Sequence, residues 1–207
     1  TALPHLHSVS AHHSPTALRA QRSPAARPGR SLPMTPPRSP TATLAPSSFP
    51  AIPADAPALA RIHHKVWTEC YGALAPPDAV AALTEAHRLR GWTTLLQASD
   101  PKTLLALSGQ TPVGLVCFGS PSDLIFAPRG EVRHLYLLAD HRGQGHGMRL
   151  LTAALMTLRD SGFPGAALAV VEENTRARGF YRGAGGAEIL SFADKGPLWR
   201  SRNRLVA

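Results

Sequence analysis

The chain has few of the residues that build cross-linked or metal-bound domains. Only two cysteines, Cys70 and Cys117, occur among its 207 residues, and they lie far apart in sequence. No metal-ligand spacing is visible either, so we expect neither a disulfide framework nor a metal centre. A reduced, cytoplasmic setting is the default for such a chain.

Long apolar runs and the common nucleotide signatures are also missing. No segment approaches the roughly 20 apolar residues that a membrane-spanning helix needs, so no membrane partner is expected. The sequence contains no GxxxxGK[ST] motif, which excludes a P-loop. The GxGxxG pattern of dinucleotide-binding folds is not matched either.

Acidic residues are absent from the first part of the chain. Residues 1–54 contain five arginines and no Asp or Glu, so much of the formal net charge of +9 lies there. Residues 1–47 are mostly Pro, Ser, Ala, Thr, His and Arg, a composition that cannot bury a core. We therefore predict a disordered tail over 1–47 and one domain over 48–207. The tail is similar in composition to an organelle transit peptide. Alternatively, Met34 is the natural start and residues 1–33 are a leader.

The rest of the chain shows helical and strand patterns. Leu59, Ile62 and Val66 recur at helical spacing and predict a first helix. A second helix is predicted after two prolines, with Asp78 as its N-cap and Gly91 at its end. Further strands are predicted near 102–108, 113–119, 131–140, 166–172, 188–192 and 199–206, and further helices up to about residue 159 and over 175–182. This order predicts an α/β layered domain with a mixed sheet.

The stretch HRGQGHG, residues 141–147, lies between a predicted strand and a predicted helix. Three glycines in five positions weaken regular structure, so their presence needs a reason. Free N–H groups and the helix dipole make a helix start attractive to anions, and glycines let a phosphate approach the main chain. A flexible turn explains the same glycines equally well from the pattern alone.

Two motifs in order decide between these interpretations, and together they resemble the GNAT-type N-acetyltransferase superfamily over residues 49–206. Residues 142–147 match the family's [Q/R]-x-x-G-x-[G/A] turn, which binds the pyrophosphate of acetyl-CoA. Residues 174–186, NTRARGFYRGAGG, match its N-x-x-A-x-x-F/Y-Y-x-x-x-G pattern. The resemblance implies a mixed, mostly antiparallel sheet flanked by helices. One departure is Gly186, where the family usually has a bulky apolar residue.

The resemblance also implies an activity and a set of cosubstrate-binding residues. The activity is transfer of an acetyl group from acetyl-CoA to a primary amine of a small molecule or peptide, by direct attack. The cosubstrate would contact main-chain N–H groups of the strand, the glycine turn, the next helix start and the second motif: Leu137, Leu138, Arg142, Gly143, Gln144, Gly145, His146, Gly147, Met148, Asn174 and Tyr181.

Each of these roles has a plainer alternative. Arg142 is equally consistent with a solvated surface, and His146 with an exposed filler between glycines. Asn174 is also a good helix N-cap, which is compatible with contact to acetyl-CoA. In the family Tyr181 would be the general acid, since a phenol with a pKa of about 10 can protonate a leaving thiolate. A packed aromatic ring is its alternative.

The general base is the least determined role. Glu131 lies eleven residues before Arg142, the offset of the base glutamate in the histone-modifying branch of the family. A solvent-exposed strand start explains Glu131 equally simply, and many members use ordered waters. Glu172 or Glu173 could instead attract a cationic amine or serve as the base.

The acceptor pocket is predicted from one pair of aromatic residues. Trp67 and Tyr71 lie at positions i and i+4 of the first predicted helix, which flanks this pocket in the family. Packing in the core is their commoner role. The amine itself is not specified by the sequence, and a homodimer stays open.

Two other functions compete with catalysis. A non-catalytic acyl-CoA-binding sensor is the main alternative, although the intact Tyr181 and Asn174 favour an enzyme. A nucleic-acid binder would need interleaved aromatic residues or a recognition module, and neither is seen.

Overall fold

The fold is described for residues 48–207 in a computed structural model. Seven strands of these residues form one sheet in the order β1-β2-β3-β4-β5-β7-β6. Of the pairs that the described strands form, only β4 with β5 is parallel, which confirms the mixed, mostly antiparallel sheet. The strands are β1 (Phe49–Pro50), β2 (Lys102–Ser108), β3 (Thr111–Gly119), β4 (Gly130–Leu137), β5 (Ala166–Val171), β6 (Glu188–Ala193) and β7 (Arg202–Val206).

Helices cover the sheet on both faces, so the core has two layers. β3 separates them, because successive side chains of a strand point to opposite faces. Leu115 and Cys117 pack against the helices of residues 56–71 and 85–95, whereas Val116 and Phe118 pack against the helix of residues 146–160. The helices of the described residues are α1 (Ala56–Tyr71), α2 (Pro77–Ala82), α3 (Glu85–Leu95), α4 (His146–Asp160) and α5 (Thr175–Gly183).

The predicted second helix is in fact two helices. α2 ends at Ala82, and the chain turns at Leu83 before Thr84 starts α3. The Thr84 hydroxyl accepts a hydrogen bond from the His87 N–H at 3.2 Å, which caps the new helix. Two details of the prediction were therefore wrong. Asp78 lies inside α2 rather than at its N-cap, and Gly91 lies inside α3 rather than at its end.

The parallel pair β4 and β5 opens the sheet. Only two residue pairs join these strands, Gly130 with Ala166 and Glu131 with Ala167. Beyond Glu131 the two strands part, so the later residues of β4 have no sheet partner on that side. This gap leads from the middle of the sheet to the glycine turn that follows β4.

The predicted tail over residues 1–47, with its alternative start at Met34, lies outside the described residues. Over residues 48–207, no helix combines the length and the apolar character that crossing a bilayer requires.

Candidate active site

The glycine turn connects β4 to α4 and has the backbone shape that the motif requires. Gly143 and Gly145 have φ angles of 74° and 80°, a region that other residues rarely adopt. Gly145 is the N-cap of α4, and no side chain caps this helix start. The first N–H groups of α4, beginning at His146, are therefore available to an anion. These features fit the phosphates of acetyl-CoA.

Arg142 ties the glycine turn to α1. Its Nε donates to the Leu137 carbonyl at 2.9 Å, and its Nη2 donates to a carboxylate oxygen of Glu69 at 3.0 Å. This hydrogen bonding lowers the pKa of Glu69. The side chain of Arg142 is thus engaged within the protein rather than solvated. Nearby, Arg149 donates to the Gln144 carbonyl at 2.9 Å and stiffens the turn.

The main chain of β4 presents one peptide to the gap beside β5. In an antiparallel pair, alternate residues direct their N–H and C=O groups to the partner strand. The Leu138 N–H donates to the Val113 carbonyl at 3.0 Å. The Leu137 carbonyl faces the other way, where it accepts from Arg142. The predicted contact of the Leu138 N–H with acetyl-CoA is therefore wrong, because this N–H is already bonded to β3. The main-chain groups of Leu137 face the gap instead.

Asn174 joins the second motif to α1. Its Oδ1 accepts from the Ala177 N–H at 3.0 Å, so Asn174 is the N-cap of α5. Its Nδ2 donates to the Tyr71 hydroxyl oxygen at 2.9 Å. Burial raises the pKa of Tyr71 to about 12, so its hydroxyl keeps its own proton near neutral pH. Tyr71 is therefore fixed as an acceptor from Asn174, and its O–H remains available to donate.

Tyr181 lies on α5 in a partly buried position. Its ring packs edge-on against Phe180, with the ring centroids 5.2 Å apart, at the border of the core on the α4 face. Burial raises the pKa of Tyr181 well above its usual value. The phenol is therefore protonated at neutral pH, which is the form that a general acid needs.

A pocket of about 100 Å³ lies where β4 and β5 part, on the face covered by α1. Trp67, Tyr71 and Trp199 form an aromatic wall, with ring centroids 5.7 to 6.1 Å apart. Trp67 and Tyr71 thus line the pocket as well as packing together. Other lining residues come from the loop before β4, from β4, and from β6, β7 and the segment between them, and include Phe126, Glu131, His134, Tyr136, Phe192, Asp194, Ser201 and Asn203.

Glu131 lies in the lining of this pocket and is only 2 % exposed. The expectation of a solvent-exposed strand start is therefore wrong. Its carboxylate accepts from the Ser122 N–H at 2.7 Å and lies 3.7 Å from Nε of Arg133. Both contacts hold the carboxylate in one position in the pocket lining.

Glu172 and Glu173, the other two candidates, lie away from the pocket lining. Glu172 is held by two arginines of β7, at 3.1 Å from Arg202 Nε and in a shorter contact with Arg204. Glu173 is exposed beyond the end of β5. Glu172 therefore serves an ion-pair network, and the structure does not bring either residue to Glu131.

Several pocket residues had no clear signal in the sequence. Trp199 comes from an irregular segment before β7 and contacts Trp67 only through the tertiary fold. His134 and Tyr136 could have been found, because they alternate on a strand that was predicted. Their rings stack at 5.5 Å on the face that carries the pocket.

Gly186 has a structural explanation. A Cβ atom at this position would lie 2.8 Å from Cγ1 of Val206 and 3.1 Å from the Tyr181 carbonyl oxygen. The bulky residue usual in the family does not fit here, because β7 and the end of α5 fill its space.

Adding one methyl group at this position should therefore destabilise the domain. We expect Gly186→Ala to lower the free energy of unfolding by about 1–3 kcal/mol, the usual cost of overpacking. Gly183→Ala is the matched control, since no atom lies within 4 Å of its added Cβ. Thermal unfolding of both variants measures the difference. Equal melting temperatures would show that Val206 and α5 move aside without a loss in the free energy of unfolding.

Comparison with known proteins agrees with the motifs and the fold. A family model described as "Acetyltransferase (GNAT) family" matches residues 60–185. The chain belongs to this family. A Mycobacterium tuberculosis protein named "Probable N-acetyltransferase" is 28% identical over 141 residues, which cover 63% of this chain and 74% of that protein. The family, fold and activity predicted from the motifs are thus confirmed. The chain is an N-acetyltransferase with acetyl-CoA as cosubstrate.

Solved structures share the fold of this acetyltransferase. The PaiA N-acetyltransferase of Thermoplasma acidophilum, solved with coenzyme A, has a TM-score of 0.59 at 17% identity, covering 77% of this chain and 95% of its own. A ribosomal-protein-alanine N-acetyltransferase of Brucella melitensis has a TM-score of 0.61 at 18% identity, with 77% and 96% covered. The yncA protein of Salmonella typhimurium, solved with acetyl-CoA, has a TM-score of 0.58 at 16% identity, with 77% and 90% covered.

Proposed function

We propose that this acetyltransferase acts by direct attack, and that its acceptor is a primary amine of a small molecule or peptide held in the aromatic pocket. The observation that carries the proposal is the parting of β4 and β5. It places the Leu137 peptide beside a gap that has the glycine turn at one end and the pocket at the other. An amine and a thioester can meet in such a gap.

Bound acetyl-CoA supplies the acetyl group as a thioester. The N–H groups of residues 143–148 bind its phosphates at the start of α4. The Leu137 N–H stabilises negative charge that develops on the acetyl oxygen. Arg142 fixes the turn against α1, and Asn174 fixes α5 next to Tyr71. These assignments follow the family motif and the positions of the donors.

Two side chains move protons in this proposal. Glu131 takes a proton from the amine, either directly or through a water, because it is a carboxylate residue of the pocket lining. Tyr181 gives a proton to the leaving thiolate. Glu172 is not proposed as the base, since Arg202 and Arg204 already hold its carboxylate.

The pocket favours an amine with a cationic or aromatic body. The faces of Trp67, Tyr71 and Trp199 attract cations and apolar groups. Glu131 and Asp194 add two carboxylates to the lining, against one guanidinium from Arg133.

A panel of primary amines, with free thiol release as the readout, tests the activity. We expect turnover with protonated amines that carry a second cationic or an aromatic group, and little turnover with small carboxylates such as glycine. If the chain binds acetyl-CoA but acetylates no amine in a broad panel, the sensor function replaces catalysis.

The glycine turn gives a prediction for acetyl-CoA binding. We expect Gly145→Val to weaken binding at least tenfold, because a β-branched residue is strained at φ 80° and fills the space at the phosphates. Gly162→Val is the matched control, since Gly162 has φ 91° but follows the other end of α4. Calorimetry with both variants separates local backbone strain from loss of the site. Equal affinities would overturn the phosphate assignment.

We also propose a cytoplasmic location, supported by the two free cysteines Cys70 and Cys117. Cell fractionation tests it. The homodimer and the lack of a nucleic-acid partner stay predictions.

A further inference from the structure

Arg88 on α3 is a charged side chain with no exposure to solvent. Its Nε, Nη1 and Nη2 atoms have no hydrogen-bond partner within residues 48–207. None of the ion pairs in this part of the chain includes it. A guanidinium group has five N–H donors and no acceptor, so only a hydrogen-bond acceptor can satisfy it. A buried charge without a partner is strongly destabilising.

The rest of the chain does not supply an acidic partner. Residues 1–47 contain no Asp or Glu, so no carboxylate side chain from that segment can reach Arg88. Burial lowers the pKa of Arg88 to about 10, which still leaves it positively charged at neutral pH. The neighbouring Tyr136 does not balance this charge, because burial raises the pKa of its phenol and keeps it neutral.

A second donor lies one helical turn away from Arg88. Trp92 is also fully buried, and its indole Nε1 has no hydrogen-bond partner among the described residues. Positions 88 and 92 are i and i+4 on α3, so the two side chains share one face of the helix. An indole N–H only donates. The two residues, called the donor cluster below, therefore both present buried N–H groups that have no hydrogen-bond partner among the described residues.

Aromatic rings surround the donor cluster of Arg88 and Trp92. The guanidinium carbon lies 5.3 Å from the ring centre of Trp67. The ring of His63 lies 6.0 Å from that of Trp92 and 4.8 Å from that of Tyr136. The stacking on Trp67 offsets part of the burial cost, but none of these rings carries the negative charge that would balance the guanidinium.

We propose that Arg88 and Trp92 bind a small monovalent anion, of the chloride class, at the buried face of α3. The anion would accept hydrogen bonds from the guanidinium and the indole, and would neutralise the buried charge. A small ion is required, since neither donor reaches solvent. The site does not depend on acetyl transfer, although it lies directly behind Trp67 in the wall of the acceptor pocket.

Thermal unfolding of the full chain tests this site. The chloride concentration is raised by replacing gluconate with chloride at constant ionic strength, so that specific binding is separated from charge screening. We expect the melting temperature of the wild type to rise with chloride, by roughly 3–6 °C at ten times the Kd. In crystals of the protein soaked in bromide, a bromide ion at the proposed site should give an anomalous diffraction peak next to Arg88. A flat response together with no bromide peak would overturn the proposal and leave a water molecule as the partner.

Two variants make the test specific. Arg88→Met removes the charge with similar volume and should abolish the chloride response, and in gluconate its melting temperature should equal or exceed that of the wild type. Arg90→Met is the matched control, because Arg90 lies on the exposed face of the same helix. It should keep the full response. If Arg88→Met does not fold, the wild-type melting curves and the bromide peak still decide. A chloride response that persists in folded Arg88→Met would contradict the assignment.

Discussion

Replacing Tyr181 with phenylalanine is expected to lower kcat about 100-fold and to leave acetyl-CoA affinity nearly unchanged. The hydroxyl is the proposed proton donor to the leaving thiolate, and one proton-transfer group contributes about 10²- to 10⁴-fold. The ring packing against Phe180 is kept in the variant. Steady-state turnover and calorimetric Kd values measure the two quantities separately.

The pH profile and a thioester series provide the controls for Tyr181. A general acid must be protonated, so activity falls as the pH rises through its pKa. Burial raises this pKa, which places the loss above the usual phenol value of about 10. An acetyl thioester of a more acidic thiol needs less protonation and should rescue Tyr181→Phe. An unchanged kcat in the variant would remove Tyr181 from the mechanism.

Glu131→Gln is expected to lower kcat by a similar factor of about 10². The amide keeps the size of the side chain and can still accept from the Ser122 N–H, but it cannot take a proton from the amine. The melting temperature of this variant should stay near that of the wild type, which separates a chemical effect from a structural one.

Glu172→Gln is the matched control for the base. Its carboxylate is also ion-paired, but to Arg202 and Arg204 at the end of β5, outside the pocket. We expect nearly normal turnover in this variant. If Glu131→Gln is neutral and Tyr181→Phe is not, ordered water takes the proton. If Glu172→Gln loses turnover and Glu131→Gln does not, the assignment of Glu131 as the base is wrong.

Much of the fold could be predicted because its signals are local. The apolar spacing of Leu59, Ile62 and Val66 gave the position of α1, and the core contains all three. The break between α2 and α3 was missed because Leu83 continues an apolar pattern, while the cap at Thr84 depends on local hydrogen bonding. The two-residue strand β1 was missed because so short a segment has no periodicity.

The site was only partly predictable for a related reason. The glycine turn and Asn174 belong to contiguous motifs, so their positions follow from the sequence. Which peptide of β4 faces the gap depends on the register with β3, and this register occupies the Leu138 N–H. The burial of Glu131 depends on Ser122, in the loop that folds over the start of β4. Both the strand register and the contact of Ser122 with Glu131 form only in the folded protein, so neither produces a recognisable spacing of residues in the sequence.

The parting of β4 and β5 has a consequence for amide hydrogen exchange. Amides along β4 and directly after it that point to β3, such as that of Leu138, are held in hydrogen bonds and should exchange slowly. The Leu137 amide points into the gap, so it should exchange quickly even though its strand belongs to the stable core. Protection along β4 should therefore alternate from one residue to the next. Adding acetyl-CoA should slow exchange at Leu137 while leaving Leu138 unchanged, which makes a single amide a reporter of the occupied site.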